Sequence, residues 1–151
     1  MKKDSEPQPA RFLKQFDVLV GEWTMVGSHP ALPAAVQGHS SFEWLREGAL
    51  LGWHFDWERG GGIPSAFSVI GQDDAVEACS MLYTDERGVA RIYQMSLAGG
   101  VWKMWREAPA FSQRMTGTFS NDGNSITWHG ELSYDGSTWE PDLSVTYTRK
   151  Q

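Results

Sequence analysis

Hydrophobic and polar residues alternate with a period of two along most of this chain, and turn-forming residues separate the alternating runs. This pattern is typical of antiparallel β-strands, because successive side chains of a strand point to opposite faces. Gly, Asn and Asp at the breaks tolerate positive φ and favour tight hairpins. The pattern predicts ten strands, at 21–28, 37–46, 49–58, 65–72, 76–84, 88–97, 100–107, 112–120, 125–134 and 138–149.

The segment before the first strand has a different period. Phe12, Phe16 and Leu19 fall at helical spacing, which predicts one short amphipathic helix over 10–19. Residues 1–9 carry lysines and prolines but no apolar run, so we expect a disordered tail there, neither a signal peptide nor a transit sequence.

The remaining segment, 10–151, has the usual size of one domain. Ten hairpin-linked strands with free edges would pair edge to edge with other chains, and closure removes those edges. We therefore predict an all-β fold, a closed antiparallel up-and-down barrel of about ten strands. A two-sheet sandwich is the alternative, and the lack of a long crossover connection argues against it.

The amino-acid composition limits the kinds of molecule that this protein is expected to bind. The formal net charge of -6 argues against nucleic acid and against anionic membranes, since both need a basic surface. No run approaches the roughly 20 apolar residues of a membrane helix. Cys79 is the single cysteine, so no internal disulfide can form. We expect a cytoplasmic protein.

Eight tryptophans are many for one small domain. Strand alternation predicts that the inward side chains include those of Leu51, Trp53, Phe55, Trp57, Trp128, Tyr134, Trp139, Leu143, Val145 and Tyr147. Arg91 and Arg106 fall on the same inward face of their strands. As structural residues they would reach solvent or a carboxylate at the barrel end; as functional ones they would orient an acidic or carbonyl-bearing ligand. The predicted ligand-binding residues, with no catalytic or metal-binding ones, are Trp53, Phe55, Arg91, Tyr93, Trp102, Met104, Arg106, Trp128 and Tyr134.

The Gly21-Glu22-Trp23 sequence after the helix resembles the opening of lipocalin-like, or calycin, barrels. Arg149 in the last strand strengthens the likeness, because calycins commonly pack an Arg or Lys there over the first-strand Trp. The resemblance implies a cation-π plug of Trp23 and Arg149 at the closed end. Phrases such as 41–45, 70–74, 82–89 and 135–140 look like a bacterial group of lipocalin-like proteins of uncharacterised function.

A more distant likeness is to haem-binding barrels of the nitrobindin type, which also open with a helix and a Gly-x-Trp. Haem would need an inward histidine. His39, His54 and His129 alternate with interior residues and are predicted to face solvent, whereas His29 could reach a barrel mouth. The leading expectation is therefore binding of a small, largely hydrophobic molecule without a cofactor, with haem as an alternative.

Two further alternatives remain open. A motif-poor cyclase or isomerase could use Tyr93, Tyr134 or Arg106 as donors to a substrate carbonyl. A homodimeric interaction protein would instead bury outward tryptophans, and Trp105 is predicted on the outer wall.

Overall fold

The strands close into a ring in the order in which they occur along the chain. The computed structural model describes residues 12–75 and 78–151, which contain ten strands. Each strand pairs antiparallel with the next, and the first pairs with the last, so the all-β closed barrel is confirmed and the sandwich is wrong. The strands are β1 Gly21–Ser28, β2 Val36–Leu45, β3 Leu50–Trp57, β4 Ala66–Gln72, β5 Cys79–Asp85, β6 Ala90–Ala98, β7 Val101–Arg106, β8 Ser112–Phe119, β9 Ser125–Ser133 and β10 Glu140–Arg149.

The tightest connection shows why the turn residues predict the strands so well. Ala98 pairs with Val101, so only Gly99 and Gly100 connect β6 to β7. Both glycines have positive φ, 59° and 74°, as a two-residue hairpin loop of the mirror-image type requires. A side chain there would be strained, which explains the Gly-Gly pair.

Inward side chains alternate with outward ones along the strands and form the core. Leu51, Trp53, Phe55 and Trp57 share the inner face of β3, as predicted, while His54 points outward. The inner residues of β10 are Val145 and Tyr147, each 3% exposed. The period of two therefore assigns most of the interior correctly.

Two predicted inward residues are wrong, for separate reasons. Tyr134 lies beyond the end of β9, outside the ladder, and is 63% exposed. Trp139 precedes β10 and packs outside against Arg114, with the guanidinium carbon 3.9 Å from its ring centroid. A β-bulge between Pro141 and Ser144 adds one residue to β10, and this extra residue reverses which face every earlier position takes.

The N-terminal helix closes one end of the barrel. It is a six-residue 3₁₀ helix, Lys14–Leu19, shorter than the predicted span, whose first residues and the preceding tail lie outside the described part of the chain. Phe16 and Leu19 are fully buried. The Gln72 side-chain oxygen accepts the backbone N–H of Phe12 at 3.0 Å and so joins this segment to the end of β4. In residues 12–75 and 78–151, no helix is long and apolar enough to cross a membrane.

Arg149 joins this helix to the first and last strands. Its guanidinium carbon lies 4.1 Å from the Trp23 ring centroid, and its nitrogens donate to the Val20 oxygen at 2.9 Å and the Val18 oxygen at 2.6 Å. The Trp23 indole in turn donates to the Leu19 oxygen at 2.8 Å. The plug that the calycin resemblance implies is therefore present.

We expect Arg149→Met to lower the free energy of unfolding by about 2 kcal/mol, because it keeps the side-chain length but removes the cation and its donors. Urea denaturation followed by tryptophan fluorescence measures the change. Lys150→Met is the matched control on an exposed neighbour and should change the value by less than about 0.5 kcal/mol. Equal effects of the two substitutions would contradict the role of Arg149.

Candidate functional site

The barrel contains an interior cavity of about 350 Å³ at the end opposite the helix. Its mouth is formed by the β1–β2 loop with His29 and Leu32, the β3–β4 loop with Ile63, Arg87 from the β5–β6 turn and Phe111 from the β7–β8 loop. The other end carries the 3₁₀ helix, whose Phe16 and Leu19 side chains are fully buried. Access is thus from one end of the barrel.

Aromatic rings and thioethers dominate the cavity walls. Trp53 stacks on Phe42 with ring centroids 4.9 Å apart and contacts Phe55 at 4.8 Å, which fixes the wall formed by β2 and β3. The apolar and aromatic lining side chains include Trp53, Phe55, Trp57, Tyr83, Tyr93, Met104, Met115, Trp128, Val145 and Tyr147. Such a surface holds an apolar body by burial from water.

A chain of hydrogen bonds crosses the mouth from the first loop to β6. His29 Nε2 lies 3.1 Å from Asp142 Oδ1, and Gln113 Nε2 donates to Asp142 Oδ2 at 2.9 Å. The Tyr93 hydroxyl donates to Gln113 Oε1. The β10 bulge makes this chain possible, because it turns both Asp142 and its neighbour Leu143 toward the cavity.

The surrounding hydrogen bonds define the tautomer of His29. The backbone N–H of Ala31 donates to His29 Nδ1 at 3.0 Å, so in the neutral ring Nε2 carries the proton and donates to Asp142. Both ring nitrogens are therefore engaged. This histidine anchors the β1–β2 loop to the bulge.

A second polar cluster lies beside the mouth on the β5–β6 turn. The Tyr83 hydroxyl and Arg87 Nη2 both donate to Asp85 Oδ2 at 2.6 Å. The hydrogen bond from Arg87 holds the pKa of Asp85 well below its usual range, while burial and then the Asp85 hydrogen bond raise the pKa of Tyr83. Arg87 and Asp85 therefore neutralise each other.

Two more arginines lie at the mouth without such a partner. The guanidinium carbon of Arg91 lies 4.9 Å from the ring centroid of Phe111 and 6.0 Å from that of Tyr83. That of Arg106 lies 5.9 Å from the ring centroids of Tyr93 and Phe111. Neither arginine forms an ion pair within the described residues. Burial is the main cause that raises the pKa of Tyr93 beneath them.

The cavity brings together six of the nine predicted ligand-binding residues: Trp53, Phe55, Arg91, Tyr93, Met104 and Trp128. Trp102 is fully buried beneath the inner end and contacts Trp53 with centroids 5.2 Å apart, so it supports the wall without lining it. Arg106 lies at the rim, and Tyr134 is outside the barrel. Contact of any of them with a ligand stays a prediction.

Sequence reasoning missed several lining residues. Trp57 continues the inward alternation of β3 and could have been included on that signal. Gln113 and Asp142 could not have been identified from the sequence. Gln113 is a polar residue at an inward position, and Asp142 is turned inward by a β-bulge that has no periodic signature in the sequence. Phe111 belongs to a loop, where alternation predicts nothing.

The remaining candidate chemistry is limited. His39, His54 and His129 are exposed on the outer wall, and His29 reaches the mouth, as predicted. Burial raises the pKa of the Cys79 thiol to about 11, as suits a core side chain and not a nucleophile. Within 12–75 and 78–151, no group of three or more His, Cys, Asp or Glu side chains could hold a metal ion.

Comparison with known proteins supports the fold but assigns no family or activity. No protein-family model and no curated protein matches the sequence. Rv2717c from M. tuberculosis superposes with a TM-score of 0.70 at 12% identity, over 95% of this chain and 100% of that one. The S-type phycobiliprotein lyase CPES from Guillardia theta superposes with a TM-score of 0.60 at 9% identity, over 91% of this chain and 92% of that one.

A protein of unknown function from the DUF3598 family of Nostoc punctiforme superposes with a TM-score of 0.59 at 14% identity, over 95% of this chain and 51% of that one. This chain therefore spans about half the length of that protein. At such identities the likeness shows the fold alone. The molecule is a ten-stranded, lipocalin-like closed barrel with a cavity open at one end.

We expect Asp85→Asn to lower the free energy of unfolding by about 1–2 kcal/mol at pH 7, because the Tyr83 and Arg87 donors lose their charged acceptor. The Asp85 pKa is lower in the folded than in the unfolded chain, so wild-type stability rises with pH in this range. The difference between wild type and variant should therefore shrink below about pH 4.

Urea denaturation at pH 7 and pH 3 measures both values. Asp56→Asn serves as the control, because Asp56 is exposed on the outer face of β3 and forms no ion pair within the described residues. An Asp85→Asn deficit that stays constant from pH 7 to pH 3 would contradict the charge-based account.

Proposed function

We propose that this protein binds a small, largely apolar molecule in the barrel cavity. The cavity itself supports the proposal best, because about 350 Å³ lined by aromatic and thioether side chains matches the lower end of the range of small-molecule sites. Native cores are normally filled to crystal-like density, and a space of this size forfeits packing energy. A ligand would restore those contacts.

Unpartnered donors in the wall indicate one chemical feature of the ligand. The indole N–H groups of Trp57 and Trp128 are buried without a hydrogen-bond partner in the described residues, and both rings line the cavity. A buried donor without an acceptor costs about 1–3 kcal/mol. A bound molecule with an oxygen acceptor would recover that energy once either ring turns toward it. The ligand is therefore apolar in its body and polar at one or two points.

The arrangement of the mouth favours one orientation. The polar side chains His29, Gln113, Asp142 and Arg91 lie at the open end, and the aromatic surface of Trp53 and Trp128 lies deeper. A molecule with one polar end would enter apolar end first, leaving its polar end among the mouth residues. Fold likeness does not carry over the activity named for the phycobiliprotein lyase, so no reaction is assigned.

We expect the neutral dye N-phenyl-1-naphthylamine to bind one site per chain with a rise in fluorescence, and Val145→Phe to weaken binding at least about tenfold. Val145 lines the cavity, and a larger ring there fills part of it. Val26→Phe, on the outer face of the neighbouring strand β1, is the matched control and should leave the dissociation constant unchanged.

A native mass spectrum and a visible absorption spectrum of the purified protein complete this test. A retained mass identifies the class of ligand, and a Soret band would replace an apolar small molecule with haem. Absence of dye binding by a folded wild type, or equal binding by both variants, would contradict the proposal. If Val145→Phe does not fold, Leu143→Phe at the mouth gives the same comparison.

The outer wall favours self-association as a second candidate. Leu82 and Ile92 pair directly across β5 and β6 and are 46% and 57% exposed, and Val69 of β4 pairs with Leu82. No outward position of β4, β5 or β6 carries a charge. A chain of net charge -6 repels its copies elsewhere, so this uncharged face is where two copies can approach. Trp105 lies on the outer wall near it, as predicted, but half-buried.

We expect the wild type to run at twice its chain mass of 16.9 kDa at micromolar concentration, and Ile92→Glu to run as a monomer, because a buried unpaired charge opposes association. Sedimentation velocity measures the mass. Val26→Glu, at an apolar position of β1 that is 43% exposed, should leave the dimer intact. A wild type that is monomeric throughout a concentration series would remove this candidate.

A further inference from the structure

We propose that the ligand of this cavity is an apolar acid, whose carboxylate or comparable anionic group is bound at the mouth by Arg91 and Arg106. This inference rests on the proposed ligand-binding function and adds the chemical class of the polar end. It depends on the placement of two guanidinium groups and on the buried Nε of Arg106, which has no hydrogen-bond partner among the described residues.

Arg91 is the first of the two cations. It occupies a half-buried position at the mouth end of β6, lines the cavity and packs its guanidinium 4.9 Å from the centroid of Phe111. The arginines with assigned structural roles have oxygen partners: Asp85 for Arg87, Glu131 for Arg114 and backbone carbonyls for Arg149. Arg91 forms no ion pair in the described part of the chain, and the hydroxyl with which it interacts, that of Tyr93, is neutral.

Arg106 is the second of the two cations. Its Nε is buried and has no hydrogen-bond partner among the described residues, while its guanidinium carbon lies 5.9 Å from the centroid of Phe111. A guanidinium N–H removed from water needs an acceptor, and an anion is the strongest one available to it. Both arginines therefore contact the same ring. Both also line one surface groove between β6 and β7, the rim groove, together with Ala90, Ile92, Gln94, Trp105 and Glu107.

The nearby carboxylates do not serve these arginines. Asp85 accepts from Tyr83 and Arg87, and Asp142 accepts from His29 and Gln113. Glu107 lies along the same rim groove but is exposed and forms no ion pair within the described residues. Arg91 and Arg106 therefore have no carboxylate partner within the described residues, although Asp142 offsets one of their two charges at the mouth.

The charge balance distinguishes an acid from a carbonyl compound. A neutral carbonyl would accept one hydrogen bond but leave both guanidinium groups without an ion-pair partner in a partly desolvated site. A carboxylate satisfies donors and charge together, and its two oxygens match the planar fork of an arginine. The apolar body of such an acid would extend inward to Trp53 and Trp128.

The test compares two dyes of the same aromatic skeleton, 8-anilinonaphthalene-1-sulfonate and its neutral analogue N-phenyl-1-naphthylamine. We expect the wild type to bind the sulfonate at least about tenfold more tightly, and Arg91→Gln with Arg106→Gln to remove that preference by weakening the binding of the sulfonate far more than that of the neutral dye. The preference should fall when sodium chloride is raised from about 50 to 500 mM. Arg114→Gln, on the outer wall, is the matched control and should retain the preference.

The outcomes separate this inference from the function on which it rests. Binding of neither dye would overturn the proposed function. Equal binding of both by the wild type, or a sulfonate preference that survives the double variant, would leave the apolar cavity in place and overturn the acid. If the double variant melts at the assay temperature, Arg91→Gln alone decides by the same comparison.

Discussion

Closure of the barrel at the junction of β1 and β10 is the constraint on which everything else depends. A sheet of ten strands has no free edge only if its last strand finds its first, about 120 residues apart in sequence. Arg149 fixes that junction, because it binds the face of Trp23 and the carbonyls of the segment that leads into β1. The cation thus joins the last strand, the first strand and the helix plug at one point.

The cavity follows from that closure. Interior width grows with strand number, and eight strands already leave a space that side chains just fill or that holds one small ligand. Here ten strands enclose a wider interior, and the 3₁₀ helix with Phe16 and Leu19 fills one end only. Within residues 12–75 and 78–151, the other end has no helix. Its space is bounded by loops and large rings, and about 350 Å³ is left unfilled.

The fold could be predicted from the sequence because its determinants are local. Alternation assigns faces, and glycines such as Gly99 and Gly100 mark hairpins, so strand order follows from short connections. The site could be predicted only where it lies on regular strands, as for Trp53, Tyr93 and Met104.

The missed residues depend on departures from regularity. A single inserted residue in β10 turns Asp142 inward and Trp139 outward, and the sequence gives no periodic sign of it. Tyr134 lies outside the site for a related reason, because β9 ends one residue earlier than alternation predicts. Loop residues such as His29 and Phe111 reach the mouth through tertiary contacts alone.

The Arg149 site at the plug and the polar groups at the mouth differ in how they are satisfied, although the Trp102 indole beneath the inner end of the cavity is also unpaired within the described residues. The unpaired groups at the mouth are a physical reason to place function there. At the plug, the Trp23 indole, the Arg149 guanidinium and the Gln72 side-chain oxygen all have partners. Toward the mouth, the Arg106 Nε and the Trp57 indole have none within the described residues. A sequence selected for stability alone would fill the space and pair these groups, as the Trp23 and Arg149 donors are paired at the plug. Such local departures are expected where a protein must receive something it does not itself contain.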